Sequence, residues 1–175
     1  MTNTAIRPYA RKPEIDNSSW YQGSVLLSYL ATSQDTGGQF TLIELHSRQG
    51  DGPLPHIHPD EDEYFYVLEG EMAFDIDGQR YPAPSGSFVM IPRGTLHQPL
   101  LVSDEARALM LFTPGGAEGY FQEMSEPARA LTLPPEDAPP PDLDRMARIA
   151  TKYGVLVPEG DGAASAPADM ERSEQ

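Results

Sequence analysis

The stretch His56-Ile57-His58-Pro59-Asp60-Glu61-Asp62-Glu63-Tyr64-Phe65-Tyr66-Val67-Leu68-Glu69-Gly70 decides how the chain is read. Its second half, Glu63–Glu69, is rich in aromatic and apolar residues, contains no Pro or Gly, and stops at Gly70. That composition predicts a strand. Its first half places two imidazoles at i and i+2, positions that project to one face of an extended backbone. By the same period of two, Phe65 and Val67 share the face of Glu63, and Tyr64, Tyr66 and Leu68 take the other.

Working outward, short apolar runs at Ser24–Leu30, Gln39–His46, Glu71–Ile76, Gln79–Tyr81, Ser87–Ile91, His97–Val102 and Ala106–Thr113 read as further strands. Between them lie turn-forming clusters: Asp35-Thr36-Gly37-Gly38, Gly50-Asp51-Gly52-Pro53 and Pro82–Gly86. Asp77-Gly78 between two short strands predicts a type I′ hairpin. Strands recurring every ~8–12 residues predict an all-β, antiparallel sandwich or barrel over residues 20–115. Residues 1–19 read as an N-terminal arm, because Pro8 and Pro13 interrupt any helix. Residues 116–157 read as a C-terminal helical segment packed on the outside of the barrel. It comprises a short helix at Ala117–Ser125, an extended proline-rich strap at 126–141, and a helix at Asp142–Tyr153. In that last helix Leu143, Met146, Ala150 and Tyr153 share a face. Residues 158–175 are small, polar and aperiodic, which predicts a disordered tail.

A chain of 175 residues fits one domain. Its formal charge of −15 disfavours nucleic acid and anionic membrane surfaces as partners. No apolar run approaches the ~20 residues of a membrane span. Met1–Pro13 has no apolar signal region, which makes the cytoplasm the expected location. There is no cysteine, so disulfides, thiolate catalysis and Cys-type metal sites are excluded. Eighteen prolines disfavour a helical bundle.

Three of the four histidines sit in a suggestive pattern. Glu63 follows His58 by five residues, and His97 follows Glu63 by 34, beyond the turn Pro92-Arg93-Gly94. Three imidazoles and one carboxylate suit one divalent transition metal: Fe, Mn, Ni, Co, Cu or Zn. Taken singly, an HxH pair is more often a surface coincidence than a metal site, and Asp60-Glu61-Asp62 reads as a solvated loop. His46 reads as a polar residue at a strand end.

The joint pattern is Gly50-(x5)-His56-x-His58-(x4)-Glu63-(x6)-Gly70, then fifteen residues, then Gly86-(x5)-Pro92-x-Gly94-(x2)-His97. It closely resembles the two motifs of the cupin superfamily. The Asn often found at the end of the second motif is Leu101 here. The resemblance implies a small jelly-roll β-barrel with the metal held inside by His56, His58, Glu63 and His97. The stretch Phe112-Thr113-Pro114-Gly115-Gly116, the pair Tyr120-Phe121 and the helix ending Lys152-Tyr153-Gly154-Val155 are similar to single-domain bacterial quercetinase-like cupins. Those are dioxygenases that open the heterocycle of flavonols.

If Glu63 faces the metal, Phe65 and Val67 face the same interior, and Phe88 and Met90 are expected to line the cavity as well. An apolar, aromatic pocket suits a flat organic substrate. The expected activity is a metal-dependent dioxygenase on a flavonol-like or other enolisable aromatic compound, with dioxygen as co-substrate. The resemblance implies that Glu63 is both ligand and catalytic base in it, where the spacing alone shows only a ligand. The rival readings are a non-redox metal-dependent isomerase or cyclase on a polyketide-like molecule, and a non-catalytic ligand-binding cupin. The outward tyrosines of Glu63–Glu69 and the pair Trp20-Tyr21 point to a homodimer.

Overall fold

The computed structural model describes residues 6–49, 52–137 and 142–158. From residue 159 onward the expected tail lies outside the described residues, as do Gly50 and Asp51 of the turn before the HxH pair. In chain order the elements are β1 (Ser18–Tyr21), β2 (Val25–Ala31), α1 (Ser33–Thr36), β3 (Thr41–Arg48), β4 (Asp62–Glu69) and β5 (Glu71–Ile76). They continue with β6 (Gln79–Pro84), β7 (Phe88–Ile91), β8 (His97–Leu101), β9 (Glu105–Thr113), α2 (Glu118–Met124), β10 (Ser125–Pro127) and α3 (Leu143–Lys152).

The strands form two antiparallel sheets, one in the order β10-β1-β2-β3-β9-β4-β7 and the other β6-β5-β8. Alternation fixes the inner face. In β9, Ala106, Ala108, Met110 and Phe112 are buried and the residues between them are not. Their partners across the β4 ladder are Phe65 opposite Met110 and Glu63 opposite Phe112. Phe74 of the smaller sheet meets Phe65 of the larger at 4.8 Å between rings, which joins the sheets into one jelly-roll core. Phe65, Phe74 and Phe112 are each at most 1% exposed. Burying one such side chain stabilises the fold by ~1.5–3 kcal/mol, so packing alone supplies a substantial part of its stability.

The Asp77-Gly78 hairpin forms as its sequence predicts: Ile76 pairs with Gln79, and both turn residues have positive φ. Two glycines have steric reasons. Gly70, at φ +77°, packs so closely on the Glu105 carbonyl that a Cβ has no room. Gly94, at φ +79°, donates its N–H to the His58 carbonyl at 2.8 Å, tying the turn after β7 to the HxH segment.

Three expectations are corrected. Phe88 and Met90 do not line the cavity; they are 64% and 50% exposed. The register pairs Glu63 with Ile91 and Phe65 with Val89, and directly opposed residues share a face. Ile91 and Val89 therefore point inward, and Phe88 stacks on Tyr64 outside. Trp20 and Tyr21 offer nothing to a second chain. Trp20 lies with Leu26 under the strap residues Ala128 and Leu133, its indole donating to the Thr132 carbonyl, and Tyr21 belongs to the main core. Asp62 is no solvated loop residue either: it opens β4 and its carboxylate accepts from the Arg93 backbone N–H and guanidinium.

The sequence reading also missed β1 and β10, which pair with each other through Ser19 and Pro127, so the larger sheet begins inside the expected arm. Helix α3 starts at the Asp142 cap, whose side chain accepts from Arg145 N–H. It lies against α2.

Candidate metal centre

His97 opens β8 and is paired by backbone hydrogen bonds in both directions with His56, at 2.9 and 3.0 Å. That bridge brings the two motifs together. Glu63 enters from the inner face of β4, and His58 follows from the i+2 spacing. One donor atom from each of His56, His58, Glu63 and His97 lies within 4.8 Å of all the others, so the four could hold a metal ion. His58, Glu63 and His97 are buried. His46 stays apart on the outer face, paired with Glu105 at 2.9 Å.

The imidazoles are prepared for this. His56 Nδ1 lies 2.8 Å from the Leu54 carbonyl and His97 Nδ1 lies 3.0 Å from the Thr95 carbonyl. A carbonyl accepts only, so each Nδ1 carries a proton and Nε2 is the atom each ring turns to the cluster. Burial pushes His56 down to about 4 and lowers His58 as well, so both are neutral at pH 7. At Glu63 and His97 burial opposes charge, but the two neighbours override it; Glu63 is held below the usual carboxylate value and His97 is raised.

Glu63 Oε2 and His97 Nε2 are 2.9 Å apart, yet their contact lacks hydrogen-bond alignment and both buried atoms are left without a partner. Two such orphans cost ~1–3 kcal/mol each. An ion between them would satisfy both. Two donors at ~2.1 Å from one ion and at right angles to each other sit about 3.0 Å apart, which the observed separation matches. The donor set is all nitrogen and oxygen, which fits a first-row divalent metal without selecting one.

Three of the four residues, His56, His58 and Glu63, border a cavity of about 260 Å³. Its walls are largely apolar, with Leu27, Leu45, Phe65, Met72, Met110 and Phe121. Of the expected lining, Phe65 takes part, whereas Val67 is fully buried core behind it. Met146, Ala147 and Ala150 of α3 complete the wall together with Val155 and Val157. The helix expected on the outside of the barrel thus helps to enclose the site. The residues after it also clip the HxH segment: Ile57 and Leu156 exchange backbone hydrogen bonds at 2.9 and 3.0 Å.

Sequence reasoning missed the polar members of this wall, among them Tyr21, Gln22, Arg48 and Tyr120. Tyr21 and Gln22 are neighbours, but Arg48 and Tyr120 come from distant segments, and no local spacing links them to that pair. It also missed Glu118, a buried carboxylate that accepts from Ser33 N–H at 2.6 Å and from the Ser33 and Thr41 hydroxyls. Beside the main cavity a smaller one of about 130 Å³ touches His58, Glu61, Tyr120 and Tyr153.

The family profile described as "Cupin domain" matches residues 42–114, the span that holds all four donors. The chain carries a cupin domain. This cupin is 31% identical over 134 residues to quercetin 2,3-dioxygenase of Bacillus subtilis (strain 168), a match covering 77% of the chain and 39% of the dioxygenase. It therefore spans about two-fifths of that relative's length. Polyketide synthase CurC of Streptomyces cyaneus is 29% identical over 103 residues, 54% of this cupin and 67% of CurC. Among solved structures, Streptomyces Pac13, named a nucleoside dehydratase, superposes with a TM-score of 0.51 at 13% identity, over 71% of this chain and 95% of its own. At that identity the likeness is one of fold. Among the described residues no helix is long and apolar enough to cross a membrane.

Proposed function

We propose that this cupin is a metal-dependent dioxygenase acting on a flavonol-like or other enolisable aromatic substrate. The observation that carries this reading is the three-imidazole, one-carboxylate cluster bordering an apolar cavity of about 260 Å³. The identity with a quercetin 2,3-dioxygenase, which runs over more residues than the barrel match alone, supports it. A bound divalent transition metal (Fe, Mn, Ni, Co, Cu or Zn) would supply Lewis acidity at an enol oxygen, and all of these but Zn could also supply an electron route to dioxygen. His56, His58 and His97 would hold that ion through Nε2. Glu63, a fourth ligand, takes the substrate's hydroxyl proton on a carboxylate oxygen. Phe65, Phe121 and Met110 receive the flat ring and keep water away from it. Dioxygen is the oxidant, and both its atoms enter the product.

The test is oxygen uptake by metal-loaded protein with quercetin, beside metal-free protein. Consumption that requires both metal and flavonol is the expected result; none with any of the six metals overturns the reading. A second reading, a non-redox isomerase or cyclase on a polyketide-like molecule, is supported by the match to CurC. Turnover that proceeds without dioxygen would favour it, and binding without any turnover would favour a ligand-binding cupin.

We also infer a cytoplasmic homodimer built on the outer face of β4 and β7. There Tyr64 stacks on Phe88 at 6.1 Å, and Tyr66 and Met90 stand exposed. The barrel is taken as residues 20–115, with the arm 1–19 before it and the helical segment 116–157 after it. A sedimentation mass of one chain at micromolar concentration would refute the dimer.

A further inference from the structure

The cavity wall carries one connected polar chain besides the metal cluster. Gln22 Nε2 donates to the Tyr21 hydroxyl at 2.6 Å, and the Tyr21 and Tyr120 hydroxyl oxygens lie 3.2 Å apart. All three side chains border the main cavity, and Tyr120 borders the smaller one too.

Counting protons gives this chain a direction. Tyr21 is only 8% exposed, more buried than Tyr120, which favours a protein acceptor for its hydroxyl proton. Gln22 already occupies the Tyr21 oxygen as a donor. Among the described residues the one acceptor in reach of the Tyr21 proton is the Tyr120 oxygen. Tyr21 therefore donates to Tyr120, and among the described residues the Tyr120 proton has no protein partner while its side chain faces the cavities.

The surroundings hold this arrangement still. Gln22 sits at φ +51°, a left-handed conformation that a residue with a side chain keeps only where neighbours enforce it. Here the turn between β1 and β2 enforces it, with Tyr21 paired to Val25. The Tyr21 ring packs edge-on against Tyr120 at 6.4 Å and Phe121 at 5.6 Å, and Tyr153 packs edge-on against Tyr120 at 6.3 Å. Glu118, two residues before Tyr120, is anchored to α1 and β3. Burial raises both phenols above their ordinary value, so neither proton is lost near neutral pH.

We infer that Tyr120 is a specificity-determining hydrogen-bond donor for an oxygen of the ligand other than the one at the metal, with Tyr21 and Gln22 as its positioning residues. The ligand class is a flat aromatic molecule with at least two separated oxygens, a carbonyl or hydroxyl besides its enol. This deepens the dioxygenase reading and rests on it for the choice of probe. A cavity with apolar walls holds a ring by shape; a single fixed donor decides which way round the ring lies.

The experiment is an anaerobic spectroscopic titration of metal-loaded protein with quercetin, comparing wild type, Tyr120→Phe and Tyr21→Phe, with oxygen uptake measured separately. Loss of one hydrogen bond to the ligand predicts about 5–10-fold weaker binding for Tyr120→Phe, with a lowered melting temperature as well because the Tyr21 hydroxyl loses its acceptor, so the titration is read where the variant is still folded. Tyr21→Phe keeps the donor but frees its orientation, and a loss of about 2–3-fold is expected. Equal affinity of Tyr120→Phe and wild type overturns the inference and leaves the dioxygenase reading standing. Weaker binding without any oxygen uptake supports the inference and overturns that reading. Failure of quercetin to bind wild type overturns both.

Discussion

Replacing Glu118 by Ala tests how the helical segment is fastened to the barrel. Its carboxylate is 7% exposed and accepts from the Ser33 N–H, the Ser33 hydroxyl and the hydroxyl of Thr41, which is itself fully buried. Thr41 in turn accepts from the Gly116 N–H at 3.1 Å, so one carboxylate orders α1, β3 and the entry to α2. Each hydrogen bond to a charged acceptor is worth ~1.5–3 kcal/mol, and removing the acceptor leaves buried donors unpaired. Against this stands the relief of no longer burying a charge. The balance predicts a loss of about 3 kcal/mol. For a chain of this size that lowers the melting temperature by roughly 6–12 °C. Glu118→Gln retains the shape and one acceptor oxygen, and about half that loss is expected. Thermal unfolding of the metal-free protein, followed by circular dichroism at pH 7, reads both values. An alanine variant within 1 °C of wild type would refute the fastening argument.

Glu63→Gln should retain some metal through the three imidazoles yet lose ~10²–10⁴-fold in rate per bound metal, because an amide cannot take the substrate proton. A wild-type rate per metal would remove the base role and leave the ligand role. His58→Ala should lose metal and activity together while the far-ultraviolet spectrum stays that of a β protein; a largely unfolded spectrum would make the metal structural. Arg11, at 2.7 Å, holds the Asp35 carboxyl down to about 2. With its folded value depressed, this pair stabilises above the unfolded value of ~4 and its contribution disappears as pH falls from about 4 toward 2. Both partners are partly solvated, so at most ~1 kcal/mol is expected. Asp35→Asn should flatten the stability profile in that window alone, and an unchanged profile would dismiss the pair.

The barrel and its donors were legible because their information is local. A period of two with turn residues between runs marks strands, and the positions of His56, His58, Glu63 and His97 along the chain carry the family pattern. What required the structure depends on pairing. Phe88 and Met90 were placed inside because a short strand read alone has no parity; only its register against β4 assigns it, and a slip of one residue inverts it. The run Ser18–Tyr21 resembles the end of an arm until Ser125–Pro127 returns to pair with it. Tyr21 and Tyr120 are separated by 99 positions, and neither tyrosine announces the other. Helix α3 showed its apolar face in sequence, but whether that face covers a barrel wall or encloses a cavity is a matter of where the strap delivers it.

The exchange of hydrogen bonds between Ile57 and Leu156 couples two equilibria that are usually measured separately. Ile57 lies between two of the donors, so opening this ladder frees the backbone that aims both imidazoles. Whatever binds only the assembled cluster must then suppress that opening, by a factor of about 1 + [L]/Kd. The slowing is greatest for amides whose exchange proceeds through this local event rather than through global unfolding. Exchange at Leu156, near the end of the described chain, becomes a gauge of occupancy at His56 and His58. It would register metal loading even in a preparation with no substrate and no turnover to observe.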